Sequence, residues 1–499
     1  MIAEELIYQI HSALRLTPTA EQERAIQTTA LFLSDRRDEV VMLLRGSAGT
    51  GKTTLAAAIV RALLSLKQKL VLMAPTGRAA KVFSLYSGQP AHTIHRTIYR
   101  QRSAGDLSSF SLNVNLHQDT LFIVDEASMI ANASSSDIFG SGCLLDDLVQ
   151  YVYGGRNCRM LLIGDTAQLP PVGEDGSPAL MAGVMRAYGL HTYECQLNEV
   201  LRQSQESGIL FNATLVRNIL LQELEPVAVR LQLKGFADIT IVPGDELIES
   251  LASSYSSVGL DETIVVTRSN KRANLYNQGI RNTILDRDDE LCRGDQLMVV
   301  KNNYNTPFGP PEGGKALAHT GAAGFPPPSE GLGEAVIPPS GGDRGVFNGD
   351  RCVVQRVRNT RELYGFRFAD VTLIFPDYDD CEMTCVTLLD TLTTEAPALT
   401  REQQERLFNA VMDDYADVPY KADRLKKLKS DPYYNALQIK FGYAVTCHKA
   451  QGGQWAHVYI DQGYMTEDML TSDYVHWLYT ALTRATEHVF LVNWPQSQS

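Results

Sequence analysis

The run Gly46-Ser47-Ala48-Gly49-Thr50-Gly51-Lys52-Thr53 follows the apolar stretch Val40 to Leu44 and precedes a helix-like run from Thr54 to Leu66. Strand, glycine-rich loop and helix in this order make a complete phosphate-binding loop. Glycines at Gly46, Gly49 and Gly51 let backbone N–H groups turn inward around phosphates, where a Cβ would obstruct them. Lys52 is placed to reach the β- and γ-phosphates and Thr53 to coordinate Mg²⁺. Gly46, Gly49, Thr50, Gly51, Lys52, Thr53 and Thr54 are therefore expected to hold a nucleoside triphosphate. A turn that binds nothing is the competing reading, and it leaves the glycines, Lys52 and Thr53 in combination without a reason.

Apolar runs resembling buried strands recur at Val40–Leu44, Leu70–Met73, Leu121–Val124 and Met160–Ile163, with room for helices between them, which predicts a parallel α/β sheet. A second series at Thr263–Val266, Ala444–Thr446, Val458–Ile460 and Val489–Val492 predicts a second α/β domain. The chain of 499 residues is too long for one ordinary core, and several domains are expected.

Between the two series the sequence changes character. Short strand-like runs at Gln296–Val300, Arg351–Val357, Phe366–Ile374 and Met383–Thr387 predict a small β-barrel or sheet, followed by the charged helix Arg401–Met412. Within this insertion, residues 306–345 are dense in Pro and Gly, including Pro326-Pro327-Pro328, and read as a surface loop with too little apolar content to offset its ordering entropy.

No apolar run approaches the ~18 residues that span a bilayer, so no membrane partner is expected. The opening MIAEELIYQIHSAL reads as an amphipathic helix without the basic start of a secretory signal, which predicts a cytoplasmic site. Eight scattered cysteines do not form a disulfide framework, and Cys381 and Cys385 have no neighbouring pair to complete a zinc site. A net charge of −13 argues against a general electrostatic clamp on nucleic acid but leaves room for a local basic groove.

Asp125-Glu126 follows Leu121-Phe122-Ile123-Val124 directly, a carboxylate pair at the carboxyl end of a strand. One carboxylate can hold Mg²⁺ through water while the next polarises the attacking water. Met160 to Ile163 ends in Gly164-Asp165 and leads to Gln168-Leu169-Pro170-Pro171-Val172, which brings Gln168 near the γ-phosphate end of the sheet. With Ala74-Pro75-Thr76-Gly77-Arg78-Ala79-Ala80 between them in the series, the chain resembles superfamily 1 helicases. Leu201-Arg202-Gln203, Val445-Thr446-Cys447-His448-Lys449-Ala450-Gln451-Gly452 and Tyr479-Thr480-Ala481-Leu482-Thr483-Arg484-Ala485 are similar to motifs IV, V and VI of that superfamily. Thr93-Ile94-His95 and Thr17-Pro18-Thr19-Ala20-Glu21-Gln22 complete a set most similar to the RecD/Dda branch, whose members move 5′ to 3′ on single-stranded DNA.

The resemblance implies two RecA-like P-loop parallel-sheet domains, a small hairpin subdomain and an inserted SH3-like β subdomain. Residues 1–80 and 119–200 would form the first motor domain, 81–118 the hairpin, 201–290 and 438–499 the second motor domain, and 291–437 the inserted subdomain. It assigns Gln22 to the adenine of ATP, Lys52 and Thr53 to phosphate and Mg²⁺, Asp125 to Mg²⁺, Glu126 to the water and Gln168 to the γ-phosphate. Arg202 and Arg484 would be arginine fingers from the second domain, although each alone could be a surface ion pair. Gly452 and Gln454 would face the ribose, where the branch often reads Gly-Ser-Glu and this chain reads Gly452-Gly453-Gln454; an amide can still hydrogen-bond a hydroxyl without the charge.

Thr76, Arg78, Thr93, His95, Thr267, Asn270, His448 and Lys449 are candidate grips on a DNA strand, suited to phosphate contacts that position without reading sequence. Helix capping is the alternative for Thr76 and Thr267. Phe110, in the alternating run Phe110 to Leu116, is the candidate wedge at a single-strand/duplex junction, with an ordinary packed aromatic as the alternative. The expected partners are single-stranded DNA, its junctions with duplex and repair or recombination proteins, in a nucleoid-associated setting of bacterial or phage type. A P-loop phosphotransferase would leave Arg202, His448 to Gly452 and Arg484 without a role. A helicase-like DNA-binding subunit of a nuclease or repair complex would leave Lys52, Glu126 and Arg484 idle.

Overall fold

The computed structural model describes residues 3–101, 110–132, 140–199, 207–221, 229–301, 303, 346–378, 380–495 and 498. Arg202 and the Pro/Gly-rich segment 306–345 lie outside them.

Val40 to Leu44 is apolar without alternation because both of its faces are covered. It forms β1 (Val40–Gly46), an interior strand of the first sheet. β2 (Lys69–Ala74) and β3 (Ala91–Thr93) follow, then an antiparallel hairpin of β4 (Tyr99–Gln101) and β5 (Phe110–Leu112) that stands apart from the sheet. β6 (Thr120–Val124), β7 (Arg159–Gly164) and β8 (His191–Leu197) complete a six-stranded parallel sheet in the order β3-β2-β6-β7-β1-β8. The helix Lys52–Ser65 buries Leu55, Ile59 and Leu63 in the core of this lobe beside Met42 and Leu44 of β1.

The second lobe is assembled from two separated stretches. β9 (Ile239–Val242) and β10 (Thr263–Thr267) precede an insertion, in which β11 (Gln296–Val299), β12 (Arg351–Leu363), β13 (Phe366–Phe375), β14 (Cys381–Leu388) and β15 (Leu437–Phe441) close into a barrel. β15 falls across the expected 437/438 boundary and seals the barrel by pairing with both β11 and β14. After it, β16 (Ala444–Thr446), β17 (Trp455–Asp461) and β18 (Ala485–Val492) finish a parallel sheet in the order β16-β10-β17-β18-β9. The barrel is not a free appendage: Leu297, Val354 and Phe375 share one apolar cluster with Val265 and Tyr459 of the second lobe. Within the insertion, Asn303 and Val346, on either side of residues 304–345, exchange backbone hydrogen bonds of 2.7 Å. Among the described residues no helix is long and apolar enough to cross a membrane.

Candidate active site

The phosphate loop leaves β1 at Gly46 and enters the helix at Lys52. Gly49 and Gly51 take φ of 76° and 75°, a left-handed conformation that side chains resist. A Cβ on Gly46 would stand 3.0 Å from Thr50 Oγ1 and 3.2 Å from Leu197 Cβ. Lys52 Nζ folds back to donate to the Gly46 carbonyl at 2.7 Å. Thr53, beside it in the first helical turn, is half-buried and Thr54 is exposed. Gln22 is buried and braces the loop: its Nε2 donates to the Thr50 carbonyl at 3.0 Å while its Oε1 accepts from Thr19 N–H at 3.1 Å. Both ends of the amide expected on adenine are thus engaged within the protein.

β6 delivers Asp125 and Glu126 to the same edge. Asp125 Oδ1 accepts from Glu126 N–H at 2.9 Å. Burial, then the charge of Glu126, raises the Asp125 carboxyl to about 6, with the Lys52 ammonium pulling the other way. Glu126 has φ 52°, left-handed backbone in a non-glycine residue. Its Oε2 is buried without a hydrogen-bond partner, as are Gln168 Oε1 and Ser128 Oγ. Such atoms are costly unless something fills their valence.

The segment Asp165 to Leu169 belongs to the first lobe by sequence and to the second by contacts. Ala167 and Leu169 pack in the second lobe's core with Val266, Trp477 and Leu478. Leu169 N–H donates to Thr480 Oγ1 at 2.7 Å, Gln451 Nε2 donates to the Leu169 carbonyl at 2.6 Å, and His476 Nδ1 meets the Ala167 carbonyl at 2.9 Å. Tyr479 adds a bond from Ala48 N–H at 2.9 Å and one to Asp165 Oδ2 at 2.6 Å. His476, Tyr479 and Thr480 lie on one face of the helix Ser472–Leu482, the i, i+3, i+4 spacing of helical neighbours. That spacing was the available signal for these residues, which motif reading passed over in favour of Arg484.

Arg484 is 3% exposed. Its Nε donates to the Thr480 carbonyl at 3.0 Å, Nη1 to the Gly453 carbonyl and Nη2 to Thr483 Oγ1, both at 3.1 Å. All three acceptors are neutral, so its charge is not cancelled by any carboxylate within ion-pair distance among the described residues.

The other expected contacts divide into two groups. Thr76 caps the helix Gly77–Ser87, accepting from Ala79 N–H at 3.2 Å, and Thr93 caps Ile94–Ile98, accepting from Arg96 N–H at 3.3 Å. Thr267 is buried and donates to the Ser269 and Val445 carbonyls. Arg78 reaches across to the Gln454 carbonyl and the Trp455 ring, and Gly452, with φ 71°, backs onto Thr76 so closely that a Cβ would sit 3.0 Å from its Oγ1. Burial lowers His95 to about 4, leaving a neutral ring between Tyr99 and Phe347 of the barrel segment. Asn270 and Lys449 line one recess with Thr446 and Lys440, and His448 is exposed beside it. Burial, then Lys440, lowers Lys449 to about 8. Phe110 pairs with Gln101 in the hairpin, its side chain lying outside the described residues.

The family model described as an AAA domain matches residues 17–218, and the UvrD-like helicase C-terminal domain matches residues 441–492. The chain is 26% identical over 308 residues to the ATP-dependent DNA helicase dda of Enterobacteria phage T4, across 58% of this chain and 62% of that protein. It is 32% identical over 170 residues to the ATP-dependent RecD2 DNA helicase of Deinococcus radiodurans, across 34% of this chain and 21% of that protein. Both matches therefore span less than two thirds of these relatives. The solved Pif1 helicase from Bacteroides aligns over 97% of this chain and 94% of its own, at 13% identity and a TM-score of 0.45. With one family model on each lobe and matches to the dda and RecD2 helicases, the chain is similar to superfamily 1 helicases of the RecD/Dda-like branch.

Proposed function

We propose that this chain is an ATP-dependent DNA helicase that hydrolyses ATP to travel on single-stranded DNA, 5′ to 3′, and to separate duplex ahead of it. The observation that carries the reading is the joint ownership of the Asp165–Leu169 segment, which starts at the phosphate-loop edge of the first sheet and is bonded into the helix that leads to Arg484. A simple phosphotransferase has no use for a second lobe fastened to the γ-phosphate end of the first.

The residues present suit ATP with Mg²⁺. Gly49 and Gly51 hold the loop in a backbone conformation that side chains resist, a Cβ on Gly46 would crowd Thr50, and Thr53 and Asp125 supply the hard oxygen ligands that Mg²⁺ takes. Mg²⁺ bound there would neutralise charge on the β- and γ-phosphates. Lys52 holds the phosphates, Glu126 orients the attacking water and accepts its proton, and Gln168 senses the γ-phosphate. Arg484, with Arg202, stabilises the charge that develops in phosphoryl transfer. The orphaned Oε2 of Glu126 supports its role, since an attacking water could donate to it.

Closure on ATP and opening after hydrolysis alternate two grips on the strand. Asn270, His448 and Lys449 serve in the second lobe. Thr76, Thr93 and His95 serve in the first, and Phe110 on the hairpin acts as the wedge. Hydrolysis measured with and without single-stranded DNA, and unwinding of matched duplexes bearing a 5′ tail, a 3′ tail or none, test the proposal. Stimulation with 5′-tail-dependent unwinding supports it; hydrolysis indifferent to DNA overturns it.

A further inference from the structure

Tyr479 is 1% exposed, yet both hydrogen bonds recorded for its hydroxyl cross to the other lobe. It accepts from Ala48 N–H inside the phosphate loop and donates to Asp165 Oδ2 at the end of β7. Asp165 is itself buried, and its Oδ1 accepts from Ala167 N–H at 2.9 Å, which links the tyrosine to the turn bearing Gln168. Burial and the Asp165 carboxylate push the phenol well above its ordinary range, so the proton stays available to Asp165. A phenylalanine would fill the second lobe's core equally well. The hydroxyl serves only the cleft.

We propose that Tyr479 is the positioning residue that couples the phosphate loop to the arginine-bearing helix: its hydroxyl clasps Ala48 and Asp165 together, so that a change in the loop is passed to Ser472–Leu482 and thereby to Arg484. The coupling is short. Arg484 Nε is anchored on the Thr480 carbonyl, the residue next to Tyr479, so the helix cannot shift against the loop without carrying the guanidinium with it. This inference rests on the reading of the cleft as a hydrolytic site.

The test uses the full chain carrying Tyr479→Phe, with three readouts: affinity for a fluorescent non-hydrolysable ATP analogue, kcat and KM with oligothymidylate present, and the distance between a probe in each lobe with and without the analogue. Analogue affinity and KM are expected to stay within about twofold while kcat falls about tenfold or more, because one buried donor and one buried acceptor lose their partner away from the ground-state phosphate contacts. The analogue-driven change in inter-lobe distance should disappear. Asp165→Asn replaces the acceptor facing the hydroxyl with a donor, should reproduce the kcat loss, and should not add to Tyr479→Phe. A Tyr479→Phe protein with unchanged kcat and normal closure overturns the proposal. So does a parallel fall of affinity, kcat and melting temperature, the mark of a merely structural tyrosine. Should the unaltered chain show no DNA-stimulated hydrolysis, the proposed function fails, but analogue-driven closure and its loss or persistence in Tyr479→Phe still judges the tyrosine.

Discussion

The guanidinium of Arg78 in the first lobe stands 4.5 Å from the centre of the Trp455 ring in the second, and it also donates to the carbonyl of Gln454. Arg351 of the barrel approaches the same ring at 5.9 Å, so two lobes and the insertion meet at one indole. Burial, then the like charge of Arg351, lowers Arg78 to about 10, which leaves it cationic at neutral pH.

Arg78→Ala is therefore expected to loosen the two lobes rather than to release DNA. A buried cation–π contact and a charged hydrogen bond together contribute about 1–3 kcal/mol, enough to reduce DNA-stimulated turnover severalfold or more. The dissociation constant for single-stranded DNA and its salt slope should stay near those of the unaltered chain. A salt slope lower by about one would instead identify Arg78 as a phosphate contact.

Lys52→Ala should lower hydrolysis by about 10²-fold or more, since it removes a preorganised charge at the phosphates. Melting should be nearly unchanged, because the one hydrogen bond recorded for Nζ is to the loop carbonyl of Gly46. Glu126→Gln should bind ATP and turn it over very slowly, the amide being unable to take the proton of water. Nucleotide binding and single-turnover hydrolysis on the two proteins check both.

For Arg484→Ala the rate should fall by ~10³ or more while nucleotide affinity changes far less, because a finger acts on the transition state. Three neutral acceptors lose their donor as well, and melting should report a loss of roughly 1–3 kcal/mol. Arg484→Lys should rescue little, since an ammonium cannot fork to Thr480, Gly453 and Thr483 at once.

Asp350, buried where the barrel meets the helix Gly77–Ser87, gives the stability a pH dependence. Burial lifts its carboxyl from 3.8 to about 7 against hydrogen bonds from Phe347 N–H and the Tyr378 hydroxyl, with Asp377 adding to the rise. The folded chain thus holds a proton that the unfolded chain has already lost. The stabilising contribution is complete below pH 3.8 and disappears as pH rises through about 7, a span of roughly 4 kcal/mol. Asp350→Asn should flatten the melting temperature across that window; an unchanged slope would assign the effect elsewhere.

Replacing Pro310 to Gly341 by a short Gly/Ser linker should leave DNA-stimulated hydrolysis intact. Asn303 and Val346 already pair across the gap, so the shortened segment has little distance to close. Loss of hydrolysis in the soluble deletion would give the segment a role in the motor.

The strands buried on both faces were legible because their interiors are unbroken apolar runs; β1, β6, β7 and β10 are of this kind. β8 reads His191-Thr-Tyr-Glu-Cys-Gln-Leu197 at the edge of its sheet, with mixed polarity that no period separates from a loop. β15 was hidden for another reason: its barrel partners lie far back in the chain, and only closure reveals that Leu437 to Phe441 belongs with them. Site residues fared likewise. Glycines and Lys52 announce themselves because few chemistries need that pattern, whereas Thr76 and Thr93 each satisfy a helix cap and a motif with one hydroxyl. Gln22 shows the limit most clearly, since its contact with Thr50 joins residues of two separate segments and leaves no trace in local sequence.

Among the described residues β18 is the latest strand in chain order and yet an interior one, held between β17 and β9. During synthesis the first sheet can close once β8, ending at Leu197, has emerged, but the second must wait for Val492 with β9 and β10 already waiting beside an empty place. For that interval a nascent chain presents a folded phosphate-loop lobe beside an unfinished one, with exposed strand edges open to mispairing. Ribosome stalling between the codons of these two residues would therefore yield a chain that is half native and prone to aggregate.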